Sequence, residues 1–447
     1  MPLSRPQGMR AFTLIWAGQV LSLIGSSMTG FALTIWAWKM TGQATALAGV
    51  AIASFLPQVL FAPLTGALVD RWNRKLTMML SDLATGLTTL IILALYWSGH
   101  LEIWHLYVTG AFAGFFQSFQ WPAYSAAISL MIPKEQYTRA SGMLSLAEWG
   151  AGVLAPILAS ALIGVLDISG IMMIDLTTLS LAIVTLLLVA IPRQTRNLQA
   201  EGEKSSLWQD MLYGFRFIAQ RPSLLGLQLV FFGGNLLSSM AGTLNSPVIL
   251  AATDNNSLLL GSTQSVAAVG GILGSVLVTA WGGPRRRVDG VFRGWILYGL
   301  LGAGLYGLGV RWMVLWYVGA FLGAFVVPMI NSSNQAIWQS KVQPSVQGRV
   351  FSVRRMIAQV TAPLGMWLGA RFADRWMEPL MQQPENHWAA FLGGLFGNRP
   401  GSGMAVIIFV AGRLARLVGL LAYRVPPVRD VVSTLPDQPA GIRPPGA

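Results

Sequence analysis

Long stretches of this chain contain no charged residue. Residues 11–38, 40–69, 84–101 and 222–253 are free of Asp, Glu, Lys and Arg. Their apolar residues come in runs, not in alternation. Eighteen or more mostly apolar residues in a row form a helix long enough to cross a bilayer. Such segments must satisfy their backbone groups internally, so helix is the form expected in lipid. Composition agrees: 54% of residues are hydrophobic and 11% charged, against roughly 25% charged in a soluble domain. The 49 Gly and 17 Trp suit close helix packing and headgroup anchoring.

The runs predict twelve spans, near 11–36, 43–69, 76–98, 103–131, 140–165, 170–191, 222–251, 258–281, 291–309, 312–340, 349–371 and 402–423. The segment after Arg10 is too long for a cleavable signal and reads as the first span. With twelve spans both termini share a side. Twenty-five of the 30 Lys and Arg then fall on that side, and five (Lys39, Arg311, Arg371, Arg375 and Arg399) on the other. The positive-inside rule makes the basic side cytoplasmic. The net charge of +13 is thus a topology signal and implies no nucleic acid. There is no Cys and only three His, so thiolate metal sites, disulfides and a zinc enzyme are not expected. No phosphate-binding Gly-x-x-x-x-Gly-Lys loop appears, and no nucleophile–base arrangement is legible. Neither an enzyme nor a cofactor is expected.

The chain divides into a six-helix bundle over 1–191, a cytoplasmic linker over 192–221 ending in a short surface helix, a second bundle over 222–423, and a Pro-rich tail over 424–447 expected to be disordered. The halves echo each other at an offset near 210 residues. Pro133 and Arg139 after span 4 match Pro344 and Arg349 after span 10. Ala155-Pro156 in span 5 matches Ala362-Pro363 in span 11. Arg71, Arg74 and Lys75 match Arg285, Arg286 and Arg287. Two parallel six-helix repeats are a known transporter architecture.

The strongest local motif is Gly66-Ala-Leu-Val-Asp70-Arg71-Trp-Asn-Arg74-Lys75 between spans 2 and 3. It resembles the cytoplasmic loop signature of the major facilitator superfamily. The resemblance implies an all-α membrane protein with two six-helix pseudo-repeat bundles. It also implies a conformational latch: Gly66 as the turn, Asp70 as the acid, Arg71 and Arg74 as bases, with Arg349, Arg354 and Arg355 near the start of span 11 as partners. Trp16 to Ser26, and the stretch Ala373-Asp374-Arg375-Trp-Met-Glu378-Pro379 before the last span, are similar to the macrolide-efflux and enterobactin-exporter branch. That branch implies secondary export of a bulky drug, macrolide or siderophore-like solute by alternating access. An importer on the same scaffold, and more remotely a lipid-handling membrane enzyme, stay open. Span 5, Ala151-Gly152-Val-Leu-Ala155-Pro156-Ile-Leu-Ala159-Ser160, resembles a degraded Gly-Pro motif of drug–proton antiporters. Gly110 stands in span 4 where such antiporters often carry Arg, which puts the usual proton-linked step in doubt.

Ionisable groups at membrane depth are costly and default to functional candidates. Glu148 in span 5 and Asp82 in span 3 are the candidate coupling residues, with protons as the coupling ion. For Asp82 a structural pair with Arg74 or a helix end competes with that role; for Glu148 a buried pair with Arg354 or Arg355 does. Asp175 reads as a first-turn charge of span 6. Uncharged polar residues share helical faces: Gln19, Ser22 and Ser26 on span 1; Gln117, Gln120 and Tyr124 on span 4; Asn235 and Asn245 on span 7; Asn331, Asn334, Gln335 and Trp338 on span 10. They form a candidate substrate cavity, with interhelical hydrogen bonding as the competing reading. The expected partners are a small-molecule solute and the lipid bilayer. The expected location is the plasma (inner) membrane with both termini cytoplasmic, as a monomer.

Overall fold

A computed structural model describes residues 8–69, 72–132, 136–189, 207–343, 346–383 and 385–431. Among these residues there is helix and no strand. The first half contains α1 (Gly8–Thr41), α2 (Ala44–Val69), α3 (Arg74–Trp97), α4 (Ile103–Met131) and α5 (Tyr137–Leu188). At 1.5 Å per residue α5 would be about 78 Å long, far beyond one crossing. Its helical geometry breaks at Asp167, where φ is 59° and ψ 179°. Two spans therefore meet at Asp167, between the predicted fifth and sixth. The Asp167 carboxylate accepts a 2.7 Å bond from the Tyr96 hydroxyl at the end of α3.

The second half contains α6 (Leu207–Ala219), α7 (Pro222–Gly242), α8 (Asn245–Ala252), α9 (Ser257–Trp281), α10 (Arg287–Leu297), a π turn (Tyr298–Gly302), α11 (Ala303–Tyr306), α12 (Val314–Lys341) and α13 (Gln347–Phe372). A second π turn (Ala373–Met377) follows, then α14 (Glu378–Met381), α15 (His387–Phe396), α16 (Ser402–Arg424) and α17 (Pro426–Arg429). Pro222 starts α7 at a position where its missing N–H costs nothing. The predicted seventh span is interrupted at Thr243 and Leu244, so Asn245 opens α8 instead of lying mid-span. The predicted ninth is α10, the π turn and α11 in series. Together the described helices supply the twelve predicted crossings. Eight helical stretches among the described residues meet the length and hydropathy needed to cross a membrane.

α3 shows why this fold belongs in lipid. Leu76, Leu80, Leu83, Leu87 and Leu90 are exposed, while Thr77, Ser81, Asp82, Thr88 and Thr89 are buried. A water-soluble helix has the opposite arrangement. Polar side chains inward and leucines outward is the pattern that hydrocarbon selects.

The chain forms two compact units. One comprises residues 1–197 and 249–265, the other 198–248 and 266–447. The first unit's core joins Phe12 and Ile15 of α1, Met78 of α3, Phe119 and Ile128 of α4, and Leu186 of α5. The second unit's core joins Leu224, Phe292, Trp295, Ile330, Trp338 and Val350. The surface helix expected after the linker is α6, and its Phe217 and Ile218 enter the second unit's core. The tail is not disordered from its start: α17 packs, with Val428 4% and Val431 0% exposed. Arg429, bonded to Asp430 at 2.8 Å, holds that carboxyl below its ordinary range.

Small residues set the closest crossings. Gly110 and Gly114 of α4 face Ser54 of α2, and Gly270 and Gly274 of α9 face the backbone of Phe321 and Phe325 in α12. Equivalent helix pairs in the two halves thus use a Gly-x-x-x-Gly crossing, but on opposite members of the pair. The expected close packing of span 5 is present. Ala155 and Ala159 are fully buried, and a Cβ at Gly261 would lie 2.5 Å from the Pro156 carbonyl oxygen and Ser160 Oγ.

The stretch before the last span has a definite structural role. Glu378 is 9% exposed, and its carboxylate accepts bonds from the backbone N–H of Met404 at 3.0 Å and of Gly401 at 3.3 Å. It satisfies donors that the start of α16 would otherwise leave open. Glu378→Ala should therefore cost about 1–3 kcal/mol. Thermal unfolding of the purified protein checks this, and an unchanged midpoint would contradict it.

Candidate functional site

The signature loop is described from Trp72 onward. Asn73 caps α3, its side chain accepting from the N–H of Lys75 and Leu76 at 3.1 and 3.4 Å. Lys75 Nζ donates to the carbonyl oxygens of Leu187 and Val189 at 3.2 and 2.7 Å. A cation on the last carbonyls of a helix satisfies them and complements the dipole. Lys75 is thus a working part of this loop that the latch reading left out. Gly66 is not the turn: α2 continues through it to Val69. Asp70 and Arg71, and the side chain of Arg349, lie outside the described residues.

Asp82 is 7% exposed, and its hydrogen-bond partners come from α1 and α4, not from the start of its own helix. Its Oδ2 accepts from Gln19 Nε2 of α1 at 3.0 Å, and its Oδ1 from Gln120 Nε2 of α4 at 2.9 Å. Gln120 Nε2 also donates to Gln19 Oε1 at 3.1 Å, leaving Gln120 Oε1 unpartnered. Two amides assigned from sequence to a cavity therefore bind a carboxyl that joins three spans. Ser22 and Tyr124, on the same helix faces, are buried, and the Tyr124 hydroxyl is unpartnered.

The second unit holds a cation in a comparable setting. Arg354 Nη1 donates to Gln335 Oε1 at 2.8 Å, and its guanidinium lies 5.3 Å from the Trp338 ring and 5.8 Å from Phe351. Neutral amide and aromatic faces replace the carboxylate usual for a half-buried Arg. Asn334 is 2% exposed and accepts from Trp338 Nε1 at 3.1 Å, so it serves packing rather than a cavity. Arg355 is exposed.

Other candidates remain open to their surroundings. Gln117, Glu148 and Asn331 are exposed, and Asn235 is half-buried. Gly110 has a packing reason for not being Arg: a Cβ there would lie 2.6 Å from Ser54 Oγ. α2 occupies the space an Arg side chain would need.

Sequence reading missed two features. Asp175 is not a first-turn charge. It lies two turns beyond the Asp167 break, 3% exposed, and accepts from Ser26 and Thr89. Arg413 and Arg416, counted from sequence among the 25 cations of the basic side, sit in the middle of α16, with Arg413 over the Phe409 ring at 4.3 Å. The signal for Asp175 was present: α1 and α3 carry hydroxyl stripes that an apolar span does not need.

A helical membrane protein built of two six-helix repeats, with a buried acid among the spans of one unit and an amide-held arginine in the other, has the architecture of a membrane transporter. Residues 15–366 match the family model of the Major Facilitator Superfamily, and the chain belongs to that family. It is similar to macrolide efflux protein A of Streptococcus pyogenes, 28% identical over 399 residues that cover 86% of this chain and 93% of the relative. It is also similar to macrolide efflux protein A of Enterococcus faecalis, 26% identical, covering 71% of this chain and 98% of the relative. The fold matches the crystal structure of a bacterial homolog of the human lysosomal transporter Spinster in an inward-facing, occupied conformation. That match has a TM-score of 0.67 at 14% identity and covers 93% of this chain and 97% of the other.

Proposed function

We propose that this protein is a secondary active exporter of bulky, mostly apolar organic molecules of the macrolide class. It works by alternating access, the mechanism of transporters built from two six-helix repeats. The observation that carries the reading is the 28% identity to a macrolide efflux protein along 86% of this chain and 93% of that relative. The exposed polar side chains at membrane depth support it. Glu148, Gln117 and Asn331 need water or a polar ligand there. Export runs from the cytoplasm across the plasma (inner) membrane. Both termini are cytoplasmic, a reading that the distribution of Lys and Arg supports. The monomer is the working unit. Asp82 binds the coupling proton, its two amide donors holding the carboxyl in either charge state. Asp70, Arg71 and Arg74, with Arg349, Arg354 and Arg355, form the latch that favours one of the two conformations.

The test is uptake of a radiolabelled macrolide into everted vesicles or liposomes without ATP. The parent protein should accumulate label when a pH gradient is imposed. Asp70→Ala should remain folded and move label several-fold more slowly. Unimpaired transport in that variant removes the latch role. No uptake by the parent above protein-free vesicles removes the macrolide assignment.

A further inference from the structure

Asp175 is a buried acid that the account of Asp82 leaves unused. It is 3% exposed and lies where α5 packs against α1 and α3. Ser26 Oγ of α1 donates to Oδ1 at 2.8 Å, and Thr89 Oγ1 of α3 donates to Oδ2 at 3.2 Å. Thr29 of α1, 6% exposed, turns its hydroxyl toward the same carboxyl without reaching hydrogen-bonding geometry to any group. Gly25 permits this approach: a Cβ there would lie 3.0 Å from Asp175 Cα and 3.3 Å from Oδ1.

Among the described residues no cation pairs with this carboxyl. Among the described residues, α1 presents Ser26 and Thr29 to it, and α3 presents Thr89. On its own helix, Thr178 bonds only the Asp175 carbonyl oxygen. The nearest ionisable groups along α3 are Asp82, seven residues before Thr89, and Tyr96, seven after it, whose hydroxyl bonds Asp167 eight residues before Asp175 on α5; none of these is a cation. An ionised carboxylate with hydroxyl partners alone is poorly compensated in a membrane interior. A protonated carboxyl fits better, because it carries an O–H that needs an acceptor. The hydroxyl oxygens of Ser26 and Thr89, at 2.8 and 3.2 Å, can accept it.

The two acids are also in register. Gln19 and Ser26 are seven residues apart on α1, and Asp82 and Thr89 are seven apart on α3. Seven residues span about 10 Å of helix. The Asp175 cluster therefore repeats the Asp82 cluster two turns further along both helices. Ser22, 7% exposed, lies between them on α1, and Thr85 and Thr88 lie between them on α3.

We infer that Asp175, with Ser26, Thr29 and Thr89, is a second proton-binding site in series with Asp82 along α1 and α3. Bulk proton and carboxylate combine to the neutral acid, and release reverses the step. The part this site plays in transport rests on the exporter reading; its occupancy by a proton does not.

Infrared difference spectroscopy of the full-length protein in lipid, between acidic and alkaline pH, tests the site. The parent should show carbonyl bands of protonated carboxyls that disappear on alkalinisation. Asp175→Asn should remove one such band, and Asp82→Asn a different one. Because Asp175→Asn can disturb folding, Ser26→Ala gives a second arm. That variant should keep the band but move its titration midpoint up by about half a unit to one unit, as expected when a donor to the carboxylate is lost. Loss of the band and a raised midpoint support the site. An Asp175→Asn spectrum that superimposes on the parent's, or an unmoved midpoint in Ser26→Ala, overturns it. A parent that shows the band yet fails to transport would sink the exporter reading and leave the site standing.

Discussion

Asp82→Asn should fold at parental levels and lose transport driven by a pH gradient by about tenfold or more, equivalent to about 1.4 kcal/mol. Asn can still accept from one of Gln19 and Gln120, so the join between α1, α3 and α4 persists. It cannot bind the proton. Asp82→Ala should add a folding defect. It strands Gln19 Nε2, now held at 3.0 Å, at about 1–3 kcal/mol, while Gln120 Nε2 keeps its bond to Gln19 Oε1. Vesicle uptake at two imposed gradients, paired with a thermal unfolding scan, separates the effects. If Asp82→Asn transports with the parent's pH dependence, the carboxyl is interhelical glue and coupling lies elsewhere.

Gly114→Leu should be the most damaging packing change. The new Cβ would fall on the carbonyl oxygen of Ser54, a backbone atom of α2 that cannot rotate away. Overpacking of this kind costs about 1–3 kcal/mol or more. Gly110→Ala meets only Ser54 Oγ, at 2.6 Å, and should be milder. Adding Ser54→Ala should restore Gly110→Ala and leave Gly114→Leu unrescued, a coupling that a double-mutant cycle reads directly. The folded fraction eluting as a single species from size exclusion is the measurement. Equal rescue of both glycine variants would mean that Ser54's side chain, not the α2 backbone, sets the distance.

These two predictions mark where sequence reading succeeds and where it stops. Apolar runs encode crossings because hydrocarbon demands helix, so the twelve segments and the break near Asp167 were legible. Polar stripes were legible too, and Gln19, Gln120 and Asn334 all lie on them. Their partners were not. Helical spacing says which way a side chain points, while the neighbour it meets is set by which helices pack together. Hence Gln19 and Gln120 were read as cavity lining although they bind Asp82, and Asn334 although it binds Trp338. Gly110 was read as a missing arginine because its reason, Ser54 of α2, lies more than fifty residues away in sequence. Asp175 was misread because its helix starts at the Asp167 break, which puts the acid two turns inside rather than in the first turn.

The account's central proposal is alternating access, which requires that the polar face at Gln117 in the first unit and the one at Asn331 in the second each meet water from either side of the membrane in turn. The chain has no cysteine, so single Gln117→Cys and Asn331→Cys variants carry one thiol each. A membrane-impermeant maleimide, applied from one side at a time in oriented vesicles, should label both positions from either side. A transported macrolide should slow the labelling. Thiols that react from neither side, in protein that folds and inserts normally, would show a dry interior and contradict the carrier assignment.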